Sequence, residues 1–234
     1  MIPWGIIASS YPKSGITVPG NLVFYYTMDA GTINIGAQTI ADSSGNNYQM
    51  AMNGSFTSGS EVTGQIGGGL AFNGSSQFLQ YSAPVSFFGS GGFTYTGWVN
   101  ILPGATGPGN IFAGTASAFP QFRITNNARY LQLTSEFVAD LEISTVVIPE
   151  NVWVFVGLSY NTSTGDYAFY TNGSANGSGT NLVTFSNSIL TIGYSPLASG
   201  EYFLGSMDDM RIYSAVLTPT QILEIYNSGL SGHP

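Results

Sequence analysis

Carboxylates are concentrated in one stretch of this sequence, "SEFVADLEIS" at residues 135–144. If the stretch is a strand, side chains alternate between faces, and one face carries Glu136, Val138, Asp140 and Glu142. Clustered carboxylates can do general acid/base work, because mutual repulsion raises the pKa of one of them. A solvated strand face and a contact to a cation or sugar explain the same residues, so all three interpretations stay open.

A second pair of carboxylates lies in "GSMDDMRIY", residues 205–213. Regular alternation places Asp208 on one face with Met210 and Ile212, and Asp209 with Arg211 on the other, where both reach water. A carboxylate on an apolar face is costly unless it is hydrogen-bonded, paired or bound to a metal. Asp208 therefore needs a partner.

Composition excludes several classes of chemistry. The chain has 234 residues, no cysteine and one histidine, which is His233, so thiol, zinc–thiolate and Ser-His-Asp sites are ruled out. Four basic residues against twelve acidic ones give a net charge of −8, without the basic patch that nucleic-acid binding requires. No apolar stretch is long enough to span a membrane.

The elements that must position these residues are short strands broken by Gly, Asn and Ser. Strong strand signals occur in "LVFYYTMD" (22–29) and "GGFTYTGWVNI" (91–101), and Asn73-Gly74 predicts a hairpin turn within 68–82. One helix is predicted, with Thr218 as N-cap, Pro219 in the first turn and Gly229 as its end. Many strands and one short C-terminal helix predict an all-β, two-sheet antiparallel jelly-roll sandwich.

Residues 1–20 are expected to form an N-terminal apolar arm, and residues 21–234 one domain. The start of the chain lacks a basic region and is not a convincing signal peptide. Packing of the arm on its own domain and anchoring to a neighbouring subunit both explain its apolar residues, because exposed apolar segments are rare on monomers. The residues that would make these contacts are Trp4, Ile6, Ile7 and Tyr11.

A series of motifs resembles the laminin-G-like branch of the concanavalin A-like lectin/glucanase superfamily over about residues 21–229. Each motif is weak alone, but their order and spacing are specific. They are "DSSGN" (42–46), "GGLAFNG" (68–74), "FTYTGWV" (93–99), "WVFVGLSY" (153–160), "YTNG" (170–173), "FLGSMDDMRIY" (203–213) and "LTPTQI" (217–222). The resemblance implies a jelly roll whose chain ends meet on one sheet, and it does not fix an activity.

The resemblance also implies a candidate calcium site. Several members of the superfamily hold Ca²⁺, which takes six to eight oxygen ligands. In this fold strands 22–29 and 205–214 are neighbours, and the "DSSGN" turn lies close by. The candidate ligands are therefore Asp29, Asp42, Asn46 and Asp208. The alternatives are that Asp208 accepts hydrogen bonds from backbone N–H groups of a neighbouring turn, and that Asp42 caps its own turn.

Glucanases of the superfamily carry acids in a pattern close to E-x-D-x-E, and Val138 stands where this pattern needs an acid. A hydrolase is therefore disfavoured. Sugar binding instead uses aromatic rings and hydrogen bonds, and three loop tyrosines are candidates: Tyr48, Tyr194 and Tyr202. Trp98 and Trp153 lie in strands that the pattern assigns to the core, so we interpret them as packing residues.

Two compatible hypotheses follow for function. One is a non-catalytic recognition module for a glycan or glycoconjugate, either free and secreted or acting in adhesion. The other is a structural module displayed on a larger particle, such as a phage or virus decoration or tail component, whose structural subunits contact residues 1–20. Both predict an extracellular or virion-surface location. The particle hypothesis is favoured by the apolar arm, the absence of cysteine and the low fraction of charged residues, 7%.

Overall fold

The computed structural model describes residues 21–87, 91–105, 107–126, 128–135 and 139–230, with the backbone alone for 139–142. The predicted arm, with Trp4, Ile6, Ile7 and Tyr11, lies outside the described residues, and its contacts stay a prediction. In the described residues the chain forms seventeen strands, a 3-10 turn (Ser58–Ser60) and a helix. Together they confirm the predicted antiparallel sandwich.

The strands, numbered in chain order, are short and mostly apolar on one face or both. Their bounds are β1 (Leu22–Tyr26), β2 (Ile33–Asn34), β3 (Thr39–Ile40), β4 (Met50–Asn53), β5 (Glu61–Thr63), β6 (Gly68–Asn73), β7 (Phe78–Val85), β8 (Phe93–Ile101), β9 (Gly109–Gly114), β10 (Gln121–Ile124), β11 (Leu131–Ser135), β12 (Ala139–Ile143), β13 (Val154–Tyr160), β14 (Asp166–Thr171), β15 (Ser174–Thr180), β16 (Ser188–Ile192) and β17 (Leu204–Tyr213). The helix α1 spans Pro219–Gly229.

The first sheet has eight strands and is built around β17. Its order is β15-β14-β13-β8-β17-β6-β5, and β1 also pairs with β17. At ten residues β17 is long enough to pair with β6 along residues 204–207 and with β1 along 210–213, while β8 lies on its other side. This pairing brings the two ends of the described domain together on one sheet, as the resemblance implied.

The second sheet has nine strands in the order β12-β11-β10-β9-β16-β7-β4-β3-β2. The inner faces of the two sheets form one apolar core, which includes Tyr95, Phe112, Phe122 and Ile212. The Tyr95 and Phe112 rings stack across it with their centroids 4.7 Å apart. Aromatic rings of this size fill the space between two sheets that pack about 10 Å apart.

The hairpin predicted at Asn73-Gly74 is wrong. Strand β6 belongs to the eight-stranded sheet and β7 to the nine-stranded sheet, so residues 73–77 form a corner that carries the chain across the sandwich. The Asn73 side chain accepts hydrogen bonds from the backbone N–H groups of Ser75, Ser76 and Gln77, which stabilises this corner. A turn motif predicts that the chain changes direction locally, but packing of the two sheets decides which strand each strand pairs with.

The outer face of the eight-stranded sheet is covered by α1. Thr218 caps the helix in a capping box with Gln221, as the sequence predicted. Ile222 and Ile225 pack with Trp98, Phe155, Tyr213 and their neighbours in a second apolar cluster, the outer layer. Trp98 is buried, in agreement with its predicted packing role, and Trp153 is half-buried against the same layer.

A β-bulge in β17 overturns the predicted alternation around Asp208. The register against β8 shifts between Asp208 and Arg211, and Asp209 adopts a left-handed backbone with φ of 55°. Met207, Met210 and Ile212 therefore face the core together, while Asp208 pairs with Trp98 of the outer layer. The prediction that Asp209 and Arg211 reach water is also wrong, since they are only 1% and 2% exposed.

Candidate functional site

Asp208 and Asp29 bind the same segment, residues 64–68, which joins β5 to the first residue of β6. Asp208 Oδ2 accepts a hydrogen bond from the Ile66 N–H at 2.8 Å, and Asp29 Oδ1 accepts one from the Gly68 N–H at 2.7 Å. Ile66 belongs to the same outer layer as Trp98. The structural alternative for Asp208 is thus confirmed: it accepts a hydrogen bond from a neighbouring turn and holds that turn against the sheet.

Removing this carboxylate should release the loop. We expect Asp208→Ala to lower the free energy of unfolding by about 1–3 kcal/mol, because the buried Ile66 N–H loses its acceptor. Urea unfolding monitored by tryptophan fluorescence measures the change, with the exposed helix residue Glu224→Ala as the matched control. A value for Asp208→Ala no larger than the control's would contradict the anchoring role.

Asp42 and Asn46 stabilise a different turn, residues 42–48. Asp42 accepts hydrogen bonds from the backbone N–H groups of Tyr25, Ser44 and Tyr48, at 3.0, 3.0 and 3.1 Å. Asn46 Nδ2 donates to the Val23 carbonyl at 2.9 Å. These contacts tie the turn to β1, and the predicted capping role of Asp42 is confirmed.

The calcium site stays a prediction. Within the ranges that the structure describes, no group of three or more His, Cys, Asp or Glu side chains is placed to hold a metal. Calcium would therefore have to take most of its six to eight oxygen ligands from backbone carbonyls and water around Asp29 and Asp208. A rise in thermal midpoint on adding CaCl₂, reversed by a chelator, would support the site, because a ligand that binds only the native state stabilises it.

Only part of the acidic stretch 136–142 lies within the residues that the structure describes. Glu136 and Val138 lie outside the described residues, and for Asp140 and Glu142 the backbone alone is described. Strand β12 pairs Asp140 with Thr134 and Glu142 with Leu133, with a shift of register between the two pairs. The regular alternation predicted along this stretch is therefore interrupted within β12.

The three candidate tyrosines lie in two separate places. Tyr48 packs against Phe24 and Tyr81, with ring centroids 4.7 and 5.3 Å away, next to the 42–48 turn. Tyr194 and Tyr202 stack on each other at 4.2 Å with an angle of 15° between their planes, and the backbone joins them in an isolated β-bridge. The prediction did not separate these groups, because sequence distance gave no information on which loops meet.

Tyr194, Tyr202 and Phe78 form a half-buried cluster that we call the aromatic platform. Phe78 lies 5.0 Å from Tyr194 between ring centroids. It precedes the core residue Leu79 on β7, so it projects from the outer face of the nine-stranded sheet. Burial, reinforced by the neighbouring Tyr194 phenol, raises the pKa of Tyr202, so the Tyr202 hydroxyl is a neutral hydrogen-bonding group at neutral pH.

A polar network adjoins the platform on the same face. Arg123 donates to Glu201 Oε2 at 3.0 Å and to Gln132 Oε1 at 2.8 Å, and Asn110 Nδ2 donates to Glu201 Oε2 at 3.0 Å. Arg123 alternates with the core residues of β10, and Glu201 directly precedes Tyr202. The side chains of Arg123 and Glu201 are 11% and 14% exposed, so their positions are fixed by packing.

Sequence reasoning missed Phe78 and all four members of the polar network. Arg123, Asn110 and Gln132 sit on strands whose outward faces looked like ordinary polar positions. One signal in the sequence could have found the network. Only 7% of the residues are charged, so Glu201 directly before Tyr202 is an unusual position for a charge.

Comparison with known proteins decides the family. A family model described as the Concanavalin A-like lectin/glucanases superfamily matches residues 72–223. The chain belongs to this superfamily. The match covers most of the strands that carry the platform and the polar network, and it confirms the resemblance seen in the motifs. No curated protein matches the sequence.

Solved structures of the superfamily's fold are similar over most of the chain. Domain 4 of AbnA, a GH43 extracellular arabinanase from Geobacillus stearothermophilus in complex with arabinotriose, is 22% identical with a TM-score of 0.67, covering 88% of this chain and 98% of that one. The binding domain of Paraclostridial Mosquitocidal Protein 1 is 16% identical with a TM-score of 0.67, covering 89% and 52%. The Trypanosoma rangeli sialidase is 14% identical with a TM-score of 0.65, covering 92% and 34%. These likenesses show the fold alone.

Proposed function

We propose that this protein is a non-catalytic carbohydrate-binding module whose glycan lies on the outer face of the nine-stranded sheet. The observation that carries the proposal is the stacked, half-exposed pair Tyr194 and Tyr202 beside the Glu201–Arg123 pair. Tyrosine offers an apolar ring face together with a polar tip, and sugars present the same combination. Binding sites typically combine such surfaces with a few fixed polar groups.

Similar structures support this proposal. Domain 4 of AbnA was solved with arabinotriose, and botulinum neurotoxin type C, 14% identical to this chain with a TM-score of 0.63, depends for cell entry on interaction with two ganglioside molecules. The arabinanase and the sialidase keep glycoside hydrolysis as the alternative activity. Release of reducing sugar from the oligosaccharides that bind would establish that alternative.

The test is a glycan array that includes arabino-oligosaccharides and ganglioside oligosaccharides, followed by calorimetry on arabinotriose and on the array's strongest binders. We expect Tyr202→Ala to weaken binding about tenfold or more, since loss of about 1.4 kcal/mol of stacking corresponds to a factor of ten. Tyr202→Phe should retain most of the affinity.

Tyr226→Ala is the matched control. Tyr226 is also a half-buried tyrosine between two aromatic neighbours, Trp98 and Phe155 at 5.5 and 5.8 Å, but it lies on the opposite side of the sandwich. Equal losses in the two alanine variants, or no binding by the unmodified protein, would overturn the proposed site.

Display on a larger particle is the second part of the proposal, with a free secreted module as the alternative. It is supported by the apolar composition of residues 1–20 and by the low charge of the chain. Electron cryo-microscopy of the native assembly is the decisive experiment. Insertion of Trp4, Ile6, Ile7 and Tyr11 into a neighbouring subunit would support display, and an arm folded on its own domain in a monomer would contradict it.

A further inference from the structure

A cavity of about 310 Å³ opens at the end of the sandwich, between the ends of the two sheets. We call it the end cavity. Its floor is made by Ile101, Ile124 and Phe203, which are buried, while Leu102 at its mouth is 44% exposed. Ligand pockets begin at roughly this volume, about 300 Å³. The cavity therefore has an apolar floor and a partly exposed mouth.

Two charged side chains line the same cavity. Arg129 donates a hydrogen bond to Glu150, and their side chains are 38% and 28% exposed. The Arg129 Nε is buried and has no hydrogen-bond partner within the part of the chain that the structure describes. A buried donor of this kind normally has an acceptor. The backbone around Arg129 is fixed, because its N–H donates to the Thr125 carbonyl and its carbonyl accepts from Ile148.

The end cavity and the aromatic platform share one stretch of backbone. Tyr202 belongs to the platform, whereas Phe203 and Leu204 line the cavity. Successive side chains of an extended chain point to opposite sides and are separated by about 3.3 Å along the strand. Gly107, which also lines the cavity, lies close to the backbone of Gly200 and Glu201. The platform and the cavity therefore adjoin on two sides of one stretch of backbone, residues 200–204.

We propose that the end cavity binds the terminal ring of a glycan, a neutral pentose or hexose, while the following rings lie on the aromatic platform. This proposal rests on the proposed carbohydrate-binding function. Arg129 and Glu150 supply a donor and an acceptor for vicinal hydroxyls, and the apolar side chain of Leu102 faces the ring. A neutral sugar is favoured because the two charges already compensate each other and the whole chain carries −8.

The test uses free monosaccharides, because a single ring can occupy the cavity without also contacting the platform. Saturation-transfer NMR is measured with L-arabinose, D-xylose, D-galactose, D-glucose and D-mannose, and with N-acetylneuraminic acid as the anionic comparison. We expect at least one neutral sugar to receive saturation, and its affinity to fall about tenfold in Glu150→Gln and in Ala105→Trp, which fills the mouth. Glu224→Gln on the helix surface is the control and should not change it.

The outcomes separate this proposal from the broader function. Binding that survives Glu150→Gln and Ala105→Trp but is lost in Tyr202→Ala would place the ring on the platform and overturn the cavity. If no neutral monosaccharide binds while oligosaccharides bind on the array, the cavity fails and the proposed function stands. If neither binds, both fail. N-acetylneuraminic acid binding as tightly as the neutral sugars would overturn the assignment of a neutral ring.

Discussion

Arg211→Ala is expected to lower the free energy of unfolding by about 3–5 kcal/mol, the typical effect of breaking a buried ion pair. Arg211 and Asp209 are 2% and 1% exposed, with Nη2 and Oδ2 2.8 Å apart. The guanidinium also lies over the Tyr25 ring at 4.4 Å and donates to the Tyr25 hydroxyl at 3.1 Å. Without Arg211, the Asp209 carboxylate remains buried without its cation. Urea unfolding measures the loss.

The matched control is Glu150→Gln, which removes one partner of the half-exposed pair with Arg129. We expect Glu150→Gln to change the free energy of unfolding by no more than about 1 kcal/mol, because exposed ion pairs contribute little to stability. Asp209→Asn, whose side chain tolerates the left-handed backbone, should also be strongly destabilising. The double variant Asp209→Asn with Arg211→Met should lose less free energy of unfolding than the sum of the losses in Asp209→Asn alone and Arg211→Met alone. An effect of Arg211→Ala as small as the control's would contradict the stabilising role of the pair.

Stability should fall steeply above about pH 10, the pKa of an unfolded tyrosine. Burial raises the pKa of Tyr25, Tyr26, Tyr95 and Tyr213. Between pH 10 and the higher pKa values of the native state, the unfolded state releases phenol protons that the native state keeps. The stability present below pH 10 is therefore lost as the pH rises toward the native pKa values. Each tyrosine contributes about 1.4 kcal/mol per pH unit. The four together amount to at most about 6 kcal/mol by about pH 11, a large part of a typical stability.

Urea unfolding at a series of pH values, with the ultraviolet absorbance of phenolate recorded in parallel, measures this dependence. Tyr95→Phe is the control variant, because it removes one of the four groups while keeping the ring in the core. The Tyr95 hydroxyl donates to the Pro120 carbonyl at 3.1 Å, so some stability is lost at every pH. Above pH 10 the free energy of unfolding of this variant should fall with pH about a quarter less steeply than that of the unmodified protein. An unchanged slope, or phenolate appearing in the native protein near pH 10, would contradict the prediction.

The β-bulge at Asp208–Arg211 in β17 links the buried Asp209–Arg211 pair to the architecture of the domain. It lies where β17 passes from pairing with β6 to pairing with β1. Asp208 anchors the loop before β6, and Asp209 holds Arg211 against β1 through Tyr25. Two adjacent carboxylates therefore fix both strands at the point where the two ends of the described domain meet. The hydrogen bond to the Ile66 N–H gives a structural role to Asp208, which the sequence also suggested as a calcium ligand.

Local signals were sufficient for much of the fold. The helix at Pro219–Gly229 follows from its cap and its apolar spacing, and the turn at Asn172-Gly173 between β14 and β15 follows from residues that accept a positive φ. Within this helix Ile222 and Ile225 are buried and Leu223 is 43% exposed, so the helix buries a narrow face. Such features depend on interactions within a few residues, so the sequence determines them directly.

By itself the sequence determined the fold class, the superfamily and the capped helix. Only the tertiary structure decided which sheet each strand joins, which face each side chain takes after a bulge, and which loops meet. One extra residue in β17 moved Asp208 away from the core face, and stacking joined Tyr194 to Tyr202 while leaving Tyr48 elsewhere. Strand pairing and loop contacts are made between residues far apart in the chain, where period and spacing carry no information.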